Sequence, residues 1–108
     1  MDRFEISNLR AYYGGLLTER QNDMIRMRYD DDMSFGEIAE VFEISRQAVL
    51  DTINKGTKHL VEIDDALKLI EKDTKINEIL DELHASALKE GNDSVIAAVK
   101  KIKLIMEE

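Results

Sequence analysis

The stretch Ser34–Gly56, "SFGEIAEVFEISRQAVLDTINKG", decides the fold because it has the pattern of two short helices joined by a tight turn. Ser34 and Glu37 match a capping box, in which the serine and glutamate side chains each accept a hydrogen bond from the other's backbone amide. Ser45 offers a second helix cap, only two residues after Glu43, where the first helix is predicted to end. The spacing therefore predicts a helix-turn-helix.

The apolar residues of this stretch are spaced for packing between the two helices. Those predicted to set the crossing are Ile38, Ala39, Phe42, Ile44 and Val49, and Val41 is predicted to share the apolar face of the first helix. The second helix is predicted to turn Ala48, Val49, Thr52, Ile53 and Leu60 inward. The turn carries Glu43 in place of the usual glycine, and a left-handed backbone there would cost about 1 kcal/mol.

Helical periodicity continues on both sides of the motif, and no segment alternates long enough to form a strand, so the chain is predicted to be all-α. A first helix is predicted over Arg3–Tyr13, with Phe4, Ile6, Leu9 and Tyr13 buried and a stop at Gly14–Gly15. A second capping box, formed by Thr18 and Gln21, predicts a helix that continues to Tyr29.

The residues behind Leu60 predict further amphipathic helices. Asp73–Thr74 offers a helix cap, Gly91 a helix end, and Asp93 or Ser94 another cap. Helices with one apolar face need a partner surface, which the N-terminal half or a second copy of the chain can supply. We therefore predict a helix-turn-helix domain over residues 1–60 and a C-terminal helical arm over 61–108, which either folds back on that domain or dimerises.

Composition excludes several classes of function. The chain has no Cys and no Pro, which excludes disulfides, thiol nucleophiles and Cys-ligated zinc. No phosphate-binding loop or nucleophile elbow occurs, so neither an enzyme nor a cofactor is predicted. No apolar run approaches the roughly 20 residues that cross a bilayer, and the charged start is unlike a signal peptide. A cytoplasmic protein without membrane insertion is predicted.

Three sets of residues have a structural explanation that we weigh against a functional one. Asp30–Asp32 resembles a cation site, but three adjacent acids cannot all converge on one ion, which favours a solvated loop. His59 and His84 have no second ligand in register, so no metal site is predicted. The five Met are better suited to filling a small helical core than to lining a partner groove.

The outward face of the second motif helix is the candidate nucleic-acid site. Its residues are Ser45, Arg46, Gln47, Leu50, Asp51, Asn54, Lys55 and Lys58. Arg can read guanine and Gln can read adenine in the major groove, whereas Asp51 repels phosphate. The net charge of −8 argues against strong nonspecific binding, although residues 61–108, with 12 acids and 7 Lys, hold most of the excess. A packing unit without a ligand is the alternative.

The segment Leu16–Leu60 resembles region 4 of bacterial sigma factors, in which a Ser-x-x-Glu-Ile-Ala helix precedes an Ile-Ser-Arg recognition helix. The motifs "LLTERQ", "SFGEIAE" and "ISRQAVLD" are closer still to the YlxM family of Firmicutes and mollicutes. That resemblance covers nearly the whole chain. It is best over Leu16–Asp51 and weakest after Ile63.

The resemblance implies a sigma-region-4-like fold and DNA binding. It also implies a link to the signal recognition particle, whose genes neighbour those of the family. Sigma-type contacts would fall on Ser45, Arg46, Gln47, Leu50 and Asp51, but sigma factors carry basic or amide side chains where this chain has Leu50 and Asp51. We predict a DNA-binding transcription regulator that is not an independent sigma factor. The alternative is a protein-interaction adaptor of the signal recognition particle pathway, with the helix-turn-helix as scaffold.

Overall fold

The computed structural model describes all 108 residues, which form helices joined by short turns. They are α1 (Arg3–Tyr13), α2 (Glu19–Tyr29), α3 (Phe35–Phe42), α4 (Arg46–Leu67), α5 (Leu69–Glu90) and α6 (Asp93–Glu107), with a 3-10 turn at Gly14–Leu16. The predicted all-α class is confirmed. None of these helices combines the length and the apolar character needed to span a bilayer.

The chain forms two compact units, Met1–Lys68 and Leu69–Glu108. The first unit ends at Lys68, whose left-handed backbone (φ 53°, ψ 36°) ends α4. The division predicted after residue 60 falls inside α4, which continues for two more turns. Those turns belong to the first unit because the Tyr13 hydroxyl donates a hydrogen bond of 2.6 Å to Asp64 Oδ1.

The core of the first unit takes side chains from all four of its helices. The buried ones are Ile6, Leu9, Tyr13, Met24, Ile25, Ile38, Ala39, Val49, Ile53 and Leu60. Two predicted core residues are wrong, since Phe4 is 80% exposed and Val41 is 57% exposed. Each stands two positions from a buried residue, Ile6 or Ala39, and two positions turn a helix by about 200°. Both side chains therefore point away from the core.

The predicted helix caps of the motif are confirmed. The Thr18–Gln21 and Ser34–Glu37 capping boxes both form, and Ser45 Oγ accepts a hydrogen bond of 3.0 Å from the Ala48 amide. Glu43 adopts the left-handed conformation (φ 55°, ψ 45°). Since an L-residue pays about 1 kcal/mol for that conformation, packing between α3 and α4 holds the turn against a small strain.

The acidic turn Asp30–Asp32 is tied to α1 and α2 by arginines. Asp30 accepts a hydrogen bond from Ser7 Oγ and pairs with Arg10. Asp31 lies 2.8 Å from Arg26, and Asp32 lies 3.5 Å from Arg3. No group of three or more Asp, Glu and His side chains is placed to hold a metal ion. The side chains of this turn therefore connect α1 to the C-terminal end of α2.

We expect acid to weaken the first unit through Asp30. The hydrogen bond from Ser7 holds the pKa of Asp30 below its ordinary value, with a further contribution from Arg10. A pKa lowered by folding stabilises the protein above the ordinary Asp value of about 3.9, and that stabilisation is lost as the pH falls through the lower folded pKa. In Asp30→Asn the free energy of unfolding should therefore fall less steeply with decreasing pH below about pH 4 than in the wild type. Urea denaturation at a series of pH values measures this.

The control for this measurement is Asn8→Ala, which alters an exposed side chain beside Ser7 and should leave the pH dependence intact. Ser7→Ala removes the main cause of the pKa shift and should reproduce part of the flattening. If the free energy of unfolding of Asp30→Asn falls with pH as steeply as that of the wild type, Asp30 has no role in acid sensitivity.

The second unit is a hairpin of α5 and α6 around Leu80, Ala87 and Val99. The cap predicted at Asp73–Thr74 is wrong, because α5 runs unbroken from Leu69 and Thr74 Oγ1 donates to the Ile70 carbonyl within it at 2.9 Å. Gly91 ends α5 with φ 65°, as predicted. Neither Asp93 nor Ser94 caps α6. The cap is Asn92, whose side chain accepts from the Val95 amide.

Candidate nucleic-acid interface

The N-terminal half of α4 presents the candidate residues together on one helix. They are Ser45 at the cap and Arg46, Gln47, Leu50, Asp51, Asn54, Lys55 and Lys58 in the helix, all exposed except the half-buried Leu50. By helical spacing, Gln47, Asp51, Asn54 and Lys58 follow one line along α4. Arg46 and Lys55 lie to either side of that line.

Arg46 has a position set by a glycine on the neighbouring helix. A Cβ atom at Gly36, in the first turn of α3, would lie 3.0 Å from Arg46 Nε and 3.1 Å from Nη2. The missing side chain therefore leaves room for the guanidinium beside α3. Neither an ion pair nor a hydrogen bond occupies Arg46, so its charge is available to an outside anion.

Gly36 is a site residue that sequence reasoning missed. It is the second residue of α3, where no turn or left-handed backbone calls for glycine. Glycine within a helix costs about 1 kcal/mol relative to alanine. The available signal was a glycine without a backbone reason, and in the structure the guanidinium of Arg46 lies beside it.

A cleft of about 370 Å³ lies between the N-terminal ends of α3 and α4. It is lined by Ser34, Phe35, Gly36, Arg46, Gln47 and Leu50. Arg46 is the one charged side chain among these residues. Helix N-termini add positive partial charge, so Arg46 and the two helix ends favour an anion in this cleft, although the net charge of the chain is −8.

Gln47 and Asp51 are joined by a hydrogen bond across one turn of α4. Gln47 Nε2 donates to Asp51 Oδ1 at 2.9 Å. An amide of this kind keeps its second hydrogen and its oxygen for other partners. The bond therefore orients Gln47 but leaves it able to form further hydrogen bonds. The carboxylate of Asp51 puts a negative charge in the middle of the face.

Two arginines of α2 hold the ends of α3. The guanidinium of Arg28 lies 4.4 Å from the centre of the Phe35 ring, and that of Arg20 lies 5.4 Å from the centre of the Phe42 ring. Cation–π contacts at exposed sites are worth about 0.5–1 kcal/mol each. They add to the packing of α3 against α2.

The charges beside α4 limit how strongly this surface can attract an anion. Arg3, Arg10 and Arg26 are paired with carboxylates, which leaves Arg20, Arg28, Arg46 and Lys55 among the cations without a carboxylate partner. α3 contributes Glu37 and Glu40 to the exposed surface. The helix that would brace against a DNA backbone thus offers carboxylates, and the attraction depends on α4 and the arginines of α2.

Comparisons with known proteins place the whole chain in one group. A sequence model of the family described as "UPF0122: Putative helix-turn-helix protein, YlxM / p13 like" matches residues 1–103. The UPF0122 protein of Clostridium perfringens strain SM101 is 45% identical over 91 residues, 84% of this chain and 81% of that protein. The UPF0122 protein of Desulforamulus reducens is 35% identical over 105 residues, 91% and 90% of the two chains. The UPF0122 protein of Fusobacterium nucleatum is 34% identical over 97 residues, which cover 89% of this chain and 94% of that protein.

Proposed function

This chain belongs to the UPF0122 family of YlxM / p13-like helix-turn-helix proteins, and we propose that it is a regulatory protein that binds double-stranded DNA through α4. The observation that carries the proposal is the exposed first turn of α4, where Arg46 has no internal partner. A helix in this position of a helix-turn-helix enters the major groove with its N-terminal side chains against the bases. The proposal includes a second copy of the chain, joined through the C-terminal helices.

The side chains of the first turn have complementary roles in this proposal. Arg46 donates two hydrogen bonds to guanine O6 and N7, and Gln47 pairs with adenine through its free oxygen and amide hydrogen. The Ser45 hydroxyl accepts from the Ala48 amide and can still donate to a phosphate. Lys55 and Lys58, further along α4, contact the backbone and set the position of the helix.

Affinity is expected to be modest and sensitive to salt, because few cations on this face lack a partner and Asp51 lies among them. Protein–DNA affinity falls with salt in proportion to the number of phosphates neutralised. Binding is therefore best measured at low salt, by fluorescence anisotropy with labelled duplexes from the region around the protein's own gene.

Arg46→Ala and Gln47→Ala are each expected to weaken DNA binding. The loss of one good base contact is worth about 1–3 kcal/mol, which corresponds to a roughly 5- to 150-fold rise in Kd. The control is Lys89→Ala, which removes one exposed positive charge from α5 in the second unit. An equal loss in Arg46→Ala and Lys89→Ala, with no loss in Gln47→Ala, would mean that only net charge matters, and would contradict base reading by α4.

Asp51→Asn tests the same face, and it is expected to strengthen DNA binding where Arg46→Ala weakens it. The amide oxygen can still accept the hydrogen bond from Gln47, while the negative charge disappears. If the face meets phosphate and base edges, affinity should rise severalfold. Unchanged affinity in Asp51→Asn together with unchanged affinity in Arg46→Ala would place any DNA contact elsewhere.

A protein-interaction adaptor of the signal recognition particle pathway is the second candidate function. The concentration of acids in residues 61–108 favours it, since 12 acids and 7 Lys there suit a basic partner. Pull-down from a native lysate, with and without nuclease, separates the two functions. Partners that survive nuclease and require residues 61–108 favour the adaptor, whereas partners lost with Arg46→Ala and with nuclease favour DNA binding.

A further inference from the structure

The hairpin of α5 and α6 carries more exposed aliphatic surface than a two-helix hairpin needs. Its own core is formed by Leu80, Ala87 and Val99. Outside that core, α5 exposes Ile76 (44%), Ile79 (65%) and Leu83 (45%), and α6 exposes Ile102 (41%) and Ile105 (67%). We call these five residues the aliphatic face.

Helix geometry brings both parts of the aliphatic face to one side of the hairpin. Leu83 follows the buried Leu80 by three positions, and Ile102 follows the buried Val99 by three. Three positions turn a helix by about 300°, which places each residue roughly 60° from the buried line in the same rotational sense. Because the two helices run antiparallel, the same rotation from each leads to the same side.

An ion pair shows that the two parts also lie at the same height. Lys103 of α6 pairs with Asp81 of α5, so the residues on either side of this pair are level with each other. Ile102 is then level with Leu83, and Ile105 with Ile79. The five aliphatic side chains therefore form one continuous patch.

The size of the patch suits an interface. Its exposed fractions correspond to on the order of 500 Å² of apolar surface, towards the upper end of the largest patch that a typical monomer leaves open. A standard protein interface buries about 800 Å² on each partner, with a polar rim around an apolar centre. The aliphatic face is large enough to be the centre of such an interface.

We propose that the aliphatic face docks against the same face of a second copy, so that two hairpins form a four-helix bundle. In such a bundle each helix packs on two neighbours and needs two apolar stripes. α5 and α6 each have that second stripe, and both stripes open to the same side. A two-fold axis through the patch pairs it with itself, which is the usual arrangement of homodimers. This inference rests on the second copy included in the proposed function and assigns the surface that joins it, but it does not depend on DNA binding.

Sedimentation equilibrium of the full chain tests the dimer. At tens of micromolar the wild type should sediment with twice the monomer mass, and Ile79→Asp and Ile105→Asp should each weaken association at least 100-fold. These residues are 65% and 67% exposed, so both variants should keep the helical circular dichroism of the wild type. The matched control is Leu104→Asp, which puts the same charge on a side chain of α6 that is 64% exposed. Leu104 stands two positions from Ile102, which turns it by about 200° to the opposite side of α6.

Each outcome bears on the proposal directly. A dimer in Leu104→Asp and a monomer in both other variants supports it. A monomeric wild type at this concentration overturns it, including one that binds an amphipathic helix of another protein. A dimer that survives Ile79→Asp and Ile105→Asp overturns the assignment of the face. DNA binding is read by anisotropy, so its failure would leave the sedimentation result unchanged.

Discussion

Gly56→Leu is expected to lower the free energy of unfolding of the first unit by about 3 kcal/mol, the upper end of what overpacking a core costs. Gly56 is buried in the middle of α4, where it meets α2. A Cβ atom there would lie 2.7 Å from Ile25 Cδ1 and 3.3 Å from Gln21 Cβ. Ile25 is fully buried, so its side chain can move aside only by displacing closely packed neighbours. Replacing glycine within a helix gains at most about 1 kcal/mol of helix propensity, which does not offset the clash.

The matched control is Gly15→Leu. A Cβ atom at Gly15 would meet nothing within 4 Å, so the substitution should change stability by less than about 0.5 kcal/mol, as surface substitutions usually do. Urea denaturation followed by circular dichroism measures both. Equal stability of the two variants would mean that α2 and α4 are not in close contact at Gly56.

Ile38→Ala is expected to cost about 2–5 kcal/mol, the usual loss when a buried isoleucine is truncated to alanine. Ile38 is fully buried in α3, which is only eight residues long, so few other side chains hold α3 in place. The free energy of unfolding from urea denaturation measures the loss. Loss of α3 packing would also disturb the presentation of α4.

Val41→Ala on the same helix is the control for Ile38→Ala. Val41 is 57% exposed, so its truncation should change stability by less than about 0.5 kcal/mol. The pair also tests the correction to the predicted apolar face, which included both residues. A large loss in Val41→Ala would mean that this side chain is covered in solution, for example by a partner.

Features that depend on neighbours in the sequence could be predicted from it. Each helix cap of the motif joins residues three positions apart, so the pattern contains the whole interaction. Burial was harder, because Phe4 and Val41 are as apolar as their buried neighbours and differ only in angle. The start of the last helix was predicted wrongly, since Asn92, Asp93 and Ser94 are all good caps. Asn92, which directly follows the turn at Gly91, is the one that caps α6.

The candidate site divides in the same way. Its residues on α4 could be named from the motif alone, and the Gln47–Asp51 hydrogen bond spans one helical turn. The approach of Arg46 to Gly36 depends on how α3 and α4 cross, which no local pattern contains. Pairing of Arg3, Arg10 and Arg26 with the acidic turn is also a tertiary feature. Sequence charge counts therefore overstate the cations available to a ligand.

The bond between Tyr13 and Asp64 has a consequence for the order in which the chain assembles on the ribosome. The two residues are 51 positions apart, so α1 leaves the exit tunnel long before its last turn can find its partner. Contacts this distant in sequence form late, because the intervening chain must first be closed into a loop. The contact between the first and the fourth helix thus forms only after the fourth has emerged. Until then the nascent chain lacks the hydrogen bond that ties the last turn of α1 to the last turns of α4.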